Sequence, residues 1–249
     1  MKTTRRAVVT GGGRGIGRAV AAALSRAGHE VTVFGRNEDT LRDAVAKGDA
    51  IAWRGVDVTD RDAFAARLDE VGPVDILVNN AGIADSAPFA KSDLAFFHRV
   101  MAVNFDSVII ATHAVLPGMT ERGFGRVISI ASLAGVKGYP YVSAYVASKH
   151  AVVGLTRALA LEVAKAGVTV NAVCPGYVDT DLVSDSVARI AASTGRLPAD
   201  VLQHLTRDNP QGRLIAPAEV ADTVAWLCGD GAAGVNGQAI AISGGESAP

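Results

Sequence analysis

The stretch RRAVVTGGGRGIG, residues 5–17, decides the fold of this 249-residue chain. Its apolar run predicts a buried β-strand, and Gly11, Gly15 and Gly17 predict a sharp turn directly after it. The residues that follow, RAVAAALSRAG (18–28), have the apolar spacing of a helix that ends at a glycine. This order is typical of a phosphate site at a helix N-terminus, although a tight turn without a ligand has the same pattern. The spacing G-x-x-x-G-x-G differs from the common G-x-G-x-x-G dinucleotide fingerprint.

The rest of the chain continues to alternate short apolar runs with longer amphipathic stretches. Further strands are predicted at 30–35, 50–59, 74–82, 125–132, 168–176 and 237–245. Further helices are predicted at 38–48, 60–72, 93–121, 143–166 and 217–229, with a less regular part before the last of them. Continuously apolar strands separated by helices favour a parallel sheet covered on both faces. We therefore expect one α/β domain over residues 1–249, a Rossmann-type doubly wound parallel sheet of about seven strands that binds ligands at the carboxyl ends of its strands.

The composition excludes several classes of protein. Apolar residues make up 49% and charged residues 20%, the net charge is −1 and like charges do not cluster, so neither nucleic acid nor a membrane is an expected partner. No window approaches ~18 consecutive apolar residues, and the first apolar run is too short for a secretory signal. Cys174 and Cys228 are isolated, which favours a reducing, cytoplasmic location. The five histidines lack metal-ligand spacing, and we expect no metal.

The stretch SAYVASKH (143–150) contains a candidate for chemistry. Tyr145 and Lys149 are four positions apart, so they share a face if the stretch is helical. A free phenol has a pKa near ~10, and a neighbouring ammonium favours the phenolate and lowers that value. Ser132, at the end of a predicted strand, stands thirteen residues before Tyr145. The alternatives are a surface pair without function and a serine that closes a turn, with Ser129 as a competitor.

These features resemble the short-chain dehydrogenase/reductase family, in order along nearly the whole chain. The matching motifs are the glycine loop preceded by a threonine, Asn79-Asn80-Ala81-Gly82, Asn104, Ser132, Tyr145 with Lys149, and Pro175-Gly176. The resemblance implies an enzyme that transfers a hydride between a nicotinamide cofactor and a carbonyl or secondary alcohol. It implies that Tyr145 is the general acid in reduction and the base in oxidation, that Lys149 and the positive nicotinamide tune it, and that Ser132 donates to the substrate oxygen. By the same analogy Asn104 holds a water of the proton relay, with a purely structural role in its helix as the alternative.

The resemblance also assigns a cofactor site. The implied residues are Gly11, Arg14, Gly15, Ile16, Gly17, Arg36, Asp57, Val58, Asn80, Ala81, Gly82, Tyr145, Lys149, Pro175, Gly176, Val178 and Thr180. Asp57 and Val58 would hold the adenine, and Tyr145 and Lys149 would hold the nicotinamide ribose. The alternatives are that Asp57 closes a turn and that Thr180 caps a helix.

The end of the second strand bears on which nicotinamide cofactor is bound. Arg36 stands where an acidic residue would favour NAD(H), and a guanidinium at that position fits the 2′-phosphate of NADP(H). Arg14 would add a second cation. NADP(H) is therefore expected in preference to NAD(H), although Glu38 and Asp39 lie close by and argue against it.

The substrate is less well determined. Residues 181–212 correspond to the segment that covers the substrate in this family, and their apolar and basic content suits a substrate with a CoA or carrier-protein arm. VNAVCPGYVDTDL and the Tyr139/Tyr141 pair are similar to 3-oxoacyl-thioester and polyketide ketoreductases. Oxidation of a simple cyclic or aliphatic secondary alcohol or hydroxy acid is the alternative. Arg189, Arg196 and Arg207 would meet phosphates or form a solvated helix face.

A protein that senses a dinucleotide without turning it over is the alternative of another class. Such a protein would be expected to have lost a reacting group. All four residues that the resemblance assigns to catalysis are present here: Asn104, Ser132, Tyr145 and Lys149. The resemblance further implies a homotetramer, built through the two long central helices and the last strand. The ending departs from the D-G-G of the family because it has Ser243 before Gly244 and Gly245.

Overall fold

A parallel sheet of seven strands forms the centre of residues 4–248, the part of the chain that this computed structural model describes. The strands are β1 (Arg6–Thr10), β2 (Glu30–Gly35), β3 (Ala52–Gly55), β4 (Ile76–Asn79), β5 (Gly125–Ile130), β6 (Val168–Pro175) and β7 (Ala239–Ile242). Their order is β3-β2-β1-β4-β5-β6-β7, and all pairs are parallel. The predicted Rossmann-type doubly wound fold is confirmed. Residues 1–3 and 249 of the expected domain lie outside the described residues.

The direction of strand addition reverses between β1 and β4. The chain builds outwards from β1 to β3 and then returns to place β4 on the other side of β1, with Val9 opposite Val78. At such a reversal the connections leave towards opposite faces of the sheet, which opens a crevice at the carboxyl ends of the two strands. The glycine loop follows β1, and the N-N-A-G motif follows β4, so both predicted motifs lie at this crevice.

Helices cover both faces of the sheet. They are α1 (Gly15–Arg26), α2 (Glu38–Ala46), α3 (Arg61–Asp69), α4 (Leu94–Met101), α5 (Ser107–Glu121), α6 (Ser143–Val163), α7 (Asp181–Thr194), α8 (Pro198–Thr206) and α9 (Pro217–Cys228). Successive strand residues point to opposite faces, so Val9 packs with α1, α2 and α9, whereas Val8 packs with α3, α5 and α6. Each fully buried valine or leucine contributes roughly 1.5–3 kcal/mol, and these two cores hold the strand ends in fixed positions.

The predicted helical region 93–121 is interrupted. A π-helical turn, Ala102–Asp106, separates α4 from α5, and the Ser107 N–H bonds to the Ala102 carbonyl five residues back. The extra residue in this turn leaves Asn104 buried. Leu94–Glu121 is the one helical stretch among the described residues that is long and apolar enough to cross a membrane, with a mean hydropathy of 1.5. It packs against α3, α6, β4 and β5, as the core helix of a folded domain does.

The segment 181–212 is more regular than the sequence predicts. Residues Asp181–Thr194 and Pro198–Thr206 form two helices, and Gly195, with φ of 70°, ends the first of them. α7 has no fully buried residue among its described side chains. The apolar residues of α7, among them Leu182, Val183 and Ile190, line the open cleft and not a closed core, so no continuously buried run marks this helix in the sequence.

Candidate active site

A cleft of about 1610 Å³ opens at the carboxyl ends of β1, β4, β5 and β6. Of the predicted site residues, it is lined by Gly11, Arg14, Gly15, Ile16, Arg36, Asp57, Val58, Asn80, Ala81, Gly82, Ser132, Tyr145, Lys149, Pro175, Gly176, Val178 and Thr180. Gly17 and Asn104 are the two predicted residues that lie behind its wall, and both are buried. The structure therefore brings together at one surface residues that are spread over most of the chain.

The shape of the glycine loop requires glycine at three positions. Gly11 and Gly15 have φ of +64° and +53°, a region that favours glycine. A Cβ on Gly17 would collide with the Gly11 carbonyl oxygen, so Gly17 allows α1 to start directly beside the turn. Arg14, at the N-cap of α1, makes no capping hydrogen bond from its side chain. The N–H groups of the first turn are therefore left for an anion in the cleft.

The N-N-A-G motif ties β4 to the glycine loop. The Asn80 side chain donates to the carbonyls of Thr10 (2.9 Å) and Gly11 (3.2 Å). The Thr10 hydroxyl accepts hydrogen bonds from the main-chain N–H groups of Asn80 (2.9 Å) and Ala81 (3.0 Å). At Gly82 an added Cβ would lie 3.7 Å from Lys149 Nζ, so the glycine leaves the cleft open in front of the ammonium. The motif thus holds the two halves of the sheet together and lines the cleft.

The far end of the cleft carries two arginines. Arg36 is exposed, and its Nη1 lies 3.9 Å from Asp57 Oδ2. Asp57 also closes a turn, because its Oδ1 accepts hydrogen bonds from the N–H (2.9 Å) and hydroxyl (2.8 Å) of Thr59. These hydrogen bonds lower the pKa of the Asp57 carboxyl. Arg14 is similarly exposed, with its Nη1 3.8 Å from Asp181 Oδ2. Both guanidinium groups are held near the cleft by weak ion pairs that a phosphate can replace.

The two carboxylates that argued against NADP(H) face elsewhere. Glu38 Oε2 bonds to Arg42 Nη2 at 2.8 Å, and Asp39 Oδ1 lies 3.7 Å from Arg42 Nη1. Neither Glu38 nor Asp39 is among the described residues that line the cleft. The carboxylate that does face Arg36 is Asp57.

Lys149 is buried at the base of the cleft, on the helix that also carries Tyr145. Its Nζ donates to the Ile130 carbonyl at 2.8 Å and lies 5.7 Å from the centre of the Tyr145 ring. An ammonium has three donors, so N–H groups remain for a ligand. Burial lowers the pKa of Lys149 to about 8. The side chain is thus poised to gain or lose a proton near neutral pH.

The Tyr145 phenol lies close enough to the Ser132 hydroxyl for the serine to favour its phenolate form. The Tyr145 ring is half-buried: it lines the open cleft on one side, and protein atoms pack closely around the rest of it. Burial raises the pKa of Tyr145, and the nearby Ser132 hydroxyl opposes this increase. The expected lowering of this pKa by Lys149 together with the positive nicotinamide stays a prediction for the complex with cofactor. The ammonium is directed at the Ile130 carbonyl, and the loss of hydration outweighs its effect.

Asn104 lies in the π-helical turn and uses its side chain within the protein. Its Oδ1 accepts from the Ile83 N–H at 2.9 Å, and its Nδ2 donates to the Ile83 carbonyl and to Ser148 Oγ, both at 3.0 Å. Ser148 in turn donates to the Tyr145 carbonyl at 2.8 Å. Both amide N–H groups are thus engaged, and the side chain joins the strand-end loop to α6.

The substrate side of the cleft includes residues that the sequence analysis did not assign. Tyr139 and Tyr177 line it together with aliphatic side chains of α7 and α8. Tyr177 stands between two predicted residues, Gly176 and Val178, so its position in the motif could have revealed it. Glu246, which lies behind Tyr139 and accepts its hydroxyl hydrogen at 2.6 Å, had no such signal because 107 residues separate the two.

A doubly wound parallel sheet with a glycine loop at its switch point, and with serine, tyrosine and lysine side chains together in the cleft, defines a Rossmann-fold oxidoreductase that uses a nicotinamide cofactor. Comparison with known proteins is more specific: the model of the short chain dehydrogenase family matches residues 5–191. The chain therefore belongs to the short-chain dehydrogenase family. Within residues 4–248, no group of three His, Cys, Asp or Glu side chains is placed to hold a metal ion.

Relatives and solved structures agree with this assignment over the whole chain. D-beta-hydroxybutyrate dehydrogenase of Rhizobium meliloti (strain 1021) is 36% identical over 98% of this chain and 99% of its own. Acetoacetyl-CoA reductase of the same organism is 39% identical over 98% of both chains. The crystal structure of an actinorhodin polyketide ketoreductase with NADPH covers 100% of both chains with a TM-score of 0.94 and 37% identity. The family thus supports both ketone reduction and alcohol oxidation as activities.

Proposed function

We propose that the protein is an NADP(H)-dependent ketoreductase whose substrate is a 3-oxoacyl thioester or a polyketide-like ketone. The observation that carries this proposal is that the Ser132 and Tyr145 side chains lie together at the cleft, with the Lys149 ammonium behind the phenol. Two hydroxyl donors at one point suit a carbonyl oxygen. The relatives named acetoacetyl-CoA reductase and polyketide ketoreductase support this substrate class.

The cleft fits a nicotinamide dinucleotide. The uncapped N-terminus of α1 and the positive φ of Gly11 and Gly15 suit a pyrophosphate. Asp57 and Val58 are assigned to the adenine. The assigned residues of the channel and of the nicotinamide end are Asn80, Ala81, Gly82, Tyr145, Lys149, Pro175, Gly176, Val178 and Thr180, beside Ile16 and Gly17 of the loop.

The surroundings of Thr180 bear on the alternative that this residue only caps a helix. It stands at the N-cap of α7, yet its side chain makes no capping hydrogen bond. Its Oγ1 donates to the Val178 carbonyl at 3.3 Å, and its methyl group lies 3.3 Å from the position that a Cβ on Gly15 would occupy. The Thr180 side chain therefore lies beside the glycine loop, which suits a contact with the cofactor better than helix capping.

The preference for NADP(H) rests on charge at the adenosine end. Arg14 and Arg36 both line that end, while Glu38 and Asp39 are paired with Arg42 away from it. A 2′-phosphate would accept charge-assisted hydrogen bonds from the guanidinium groups and release Arg36 from its 3.9 Å contact with Asp57.

Side chains of this protein supply the proton that the carbonyl oxygen receives during reduction. When bound, the nicotinamide supplies the hydride. Tyr145 carries its proton at neutral pH, since a phenol ordinarily titrates near ~10 and burial raises its pKa further. It can donate that proton to the carbonyl oxygen that Ser132 also binds as negative charge develops there. The Lys149 ammonium then stabilises the phenolate that remains and can return a proton to it. Because the amide N–H groups of Asn104 are engaged, we assign the holding of a relay water to its main-chain carbonyl.

The decisive experiment follows NADPH oxidation with acetoacetyl thioesters and cyclic ketones as substrates. We expect the wild-type protein to reduce an acetoacetyl thioester and Tyr145→Phe to lose about a thousandfold in kcat while NADPH affinity is kept. Reduction of cyclic ketones alone would favour the simple-alcohol dehydrogenase. NADPH binding without reduction of any ketone would favour a dinucleotide-sensing protein.

We also propose that the chain acts as a cytoplasmic homotetramer, that residues 1–249 are one domain and that 181–212 covers the substrate. Ile109 of α5, Leu161 of α6 and Trp226 of α9 expose large apolar side chains, which suits contacts between subunits. Cys174 and Cys228 are free and buried, which suits a reducing compartment. Light scattering should give four times the chain mass of 25.5 kDa.

A further inference from the structure

A buried carboxylate stands behind the substrate side of the cleft. Glu246 follows β7, and its side chain is only 3% exposed. Its Oε1 accepts the hydroxyl hydrogen of Tyr139 at 2.6 Å and lies 2.9 Å from Lys137 Nζ. Its Oε2 lies 3.4 Å from the position that a Cβ on Gly176 would occupy. Tyr139 and Gly176 both line the cleft, so this carboxylate is directly behind the wall that a substrate meets.

The position of Glu246 is built by the fold. Gly244 and Gly245 have φ of +62° and +101°, which turns the chain back towards the cleft. A Cβ on Gly244 would collide with Asn209, and one on Gly245 would lie 3.2 Å from Pro210, so the turn packs closely on the segment after α8. The carboxylate is therefore fixed between that segment and the loop that carries Tyr139.

Two carboxylates act on the tyrosines of this wall, and the cation nearest to them, Lys137 Nζ, lies 4.9 Å from the centre of the Tyr139 ring. Burial is the main cause that raises the pKa of both Tyr139 and Tyr177, and the carboxylates of Glu246 and Asp208 raise both further. Lys137, 36% exposed, compensates the charge of Glu246 in part, and the exposed Arg207 lies 3.2 Å from Asp208. Solvent screens these two cations more than it screens the buried carboxylate.

Tyr139 adds a directional effect to this charge. Its hydroxyl hydrogen is committed to Glu246, so its oxygen offers only lone pairs to the cleft. A carboxylate on the substrate would meet an acceptor and a negative field there. An ester, a thioester or a hydrocarbon ring carries no charge for the carboxylates to repel, and it does not need the hydroxyl hydrogen of Tyr139.

We propose that Glu246, acting through Tyr139 and against Lys137, selects ketones whose neighbouring group is uncharged and disfavours free oxo acids. Glu246 is thus a positioning residue for specificity. This inference rests on the proposed ketoreductase function and narrows its substrate class, because it separates neutral 3-oxoacyl compounds from the hydroxy acids that are the alternative.

The test uses two substrates that differ in one charge, acetoacetate and methyl acetoacetate, with saturating NADPH. Wild type should have the higher kcat/KM for the ester. Glu246→Gln keeps the acceptor for Tyr139 but removes the charge, and the ester-to-acid ratio of kcat/KM should fall about tenfold, mainly through the KM of acetoacetate. Lys137→Met should raise the same ratio several-fold. Asp69→Asn, an exposed carboxylate at the end of α3, is the control and should leave the ratio unchanged.

The opposite directions of the two variants separate electrostatics from a loss of structure. If Glu246 only supports the fold, both variants lower kcat/KM for both substrates alike, and the inference is overturned. If wild type has a higher kcat/KM for acetoacetate than for its methyl ester, this inference is overturned while the proposed function stands. If wild type reduces no ketone with NADPH, the proposed function fails, and this inference fails with it.

Discussion

The two halves of the cleft are built in different ways. The cofactor half consists of strand ends and the glycine loop, joined by hydrogen bonds of 2.9 to 3.2 Å between Asn80, Thr10 and their neighbours. The substrate half consists of α7, which has no fully buried residue among those described, and of the segment after β7. Exposed ion pairs of 3.8 Å, Arg14 to Asp181 and Arg189 to Asp85, attach α7 to the rest. A rigid cofactor half beside a loosely attached α7 allows one chemistry to serve many substrates.

The largest expected effect concerns Lys149 in the rigid half. Its pKa of about 8 in the fold, against 10.5 when exposed, means that the unfolded chain binds more protons between these values, so its burial costs stability below pH 8 and costs less as pH rises. The stability of Lys149→Met relative to wild type should therefore decrease by about 2 to 3 kcal/mol between pH 7 and pH 10. Urea unfolding across this range measures it. A difference that does not vary with pH would mean that Lys149 is not desolvated.

The next largest effect concerns Arg36, at the exposed adenosine end of the cofactor half. Arg36→Asp should lower the preference for NADPH over NADH by about a hundredfold, because a favourable contact with the 2′-phosphate becomes a repulsion. Binding of both cofactors, followed by fluorescence, measures this change. Arg42→Asp is the matched control, since Arg42 pairs with Glu38 outside the cleft. An unchanged preference in Arg36→Asp would refute the role of Arg36.

A smaller effect should follow from a methyl group in the glycine loop. Gly17→Ala should destabilise the protein by about 2 kcal/mol and weaken NADPH binding, because the new Cβ meets the Gly11 carbonyl. Gly231→Ala, in the 3₁₀ turn Asp230–Ala232 after α9, has no atom within 4 Å of its Cβ position and should stabilise by about 0.4–1 kcal/mol. Thermal unfolding of the two variants compares them. Equal effects would show that the loop is more pliable than its geometry indicates.

The smallest effect is expected in the substrate half. Arg189→Ala removes an exposed contact to Asp85, which Arg99 also binds at 3.1 Å, so stability should change by less than about 0.5 kcal/mol. The kcat/KM for an acetoacetyl thioester should stay within about threefold of wild type, in low and high salt. A large loss would show that α7 is firmly attached, and the contrast between the two halves would be weaker than proposed.

The same contrast explains how much could be predicted. RRAVVT and the glycine loop predict β1, the turn and α1 because each depends on neighbouring residues and on burial. Ser132, Tyr145 and Lys149 meet at the cleft because their elements end at one edge of the sheet. The bounds of the two helices in 181–212 were not predicted, because the apolar residues of α7 line the cleft and not a closed core. The effect of burial, which raises the pKa of Tyr145 in the protein alone, could not be predicted because burial cannot be read from a four-residue spacing.

The Thr10 hydroxyl has a consequence for how the protein folds. It accepts hydrogen bonds from Asn80 and Ala81, residues that are 70 and 71 positions away in the chain. The glycine loop is therefore incomplete until β4 has docked beside β1, however early α1 forms. In refolding, the ability to bind the cofactor should appear with closure of the sheet, a slow non-local step, and after most of the helical signal has been recovered. A cofactor present during refolding would then stabilise the finished sheet without accelerating its assembly.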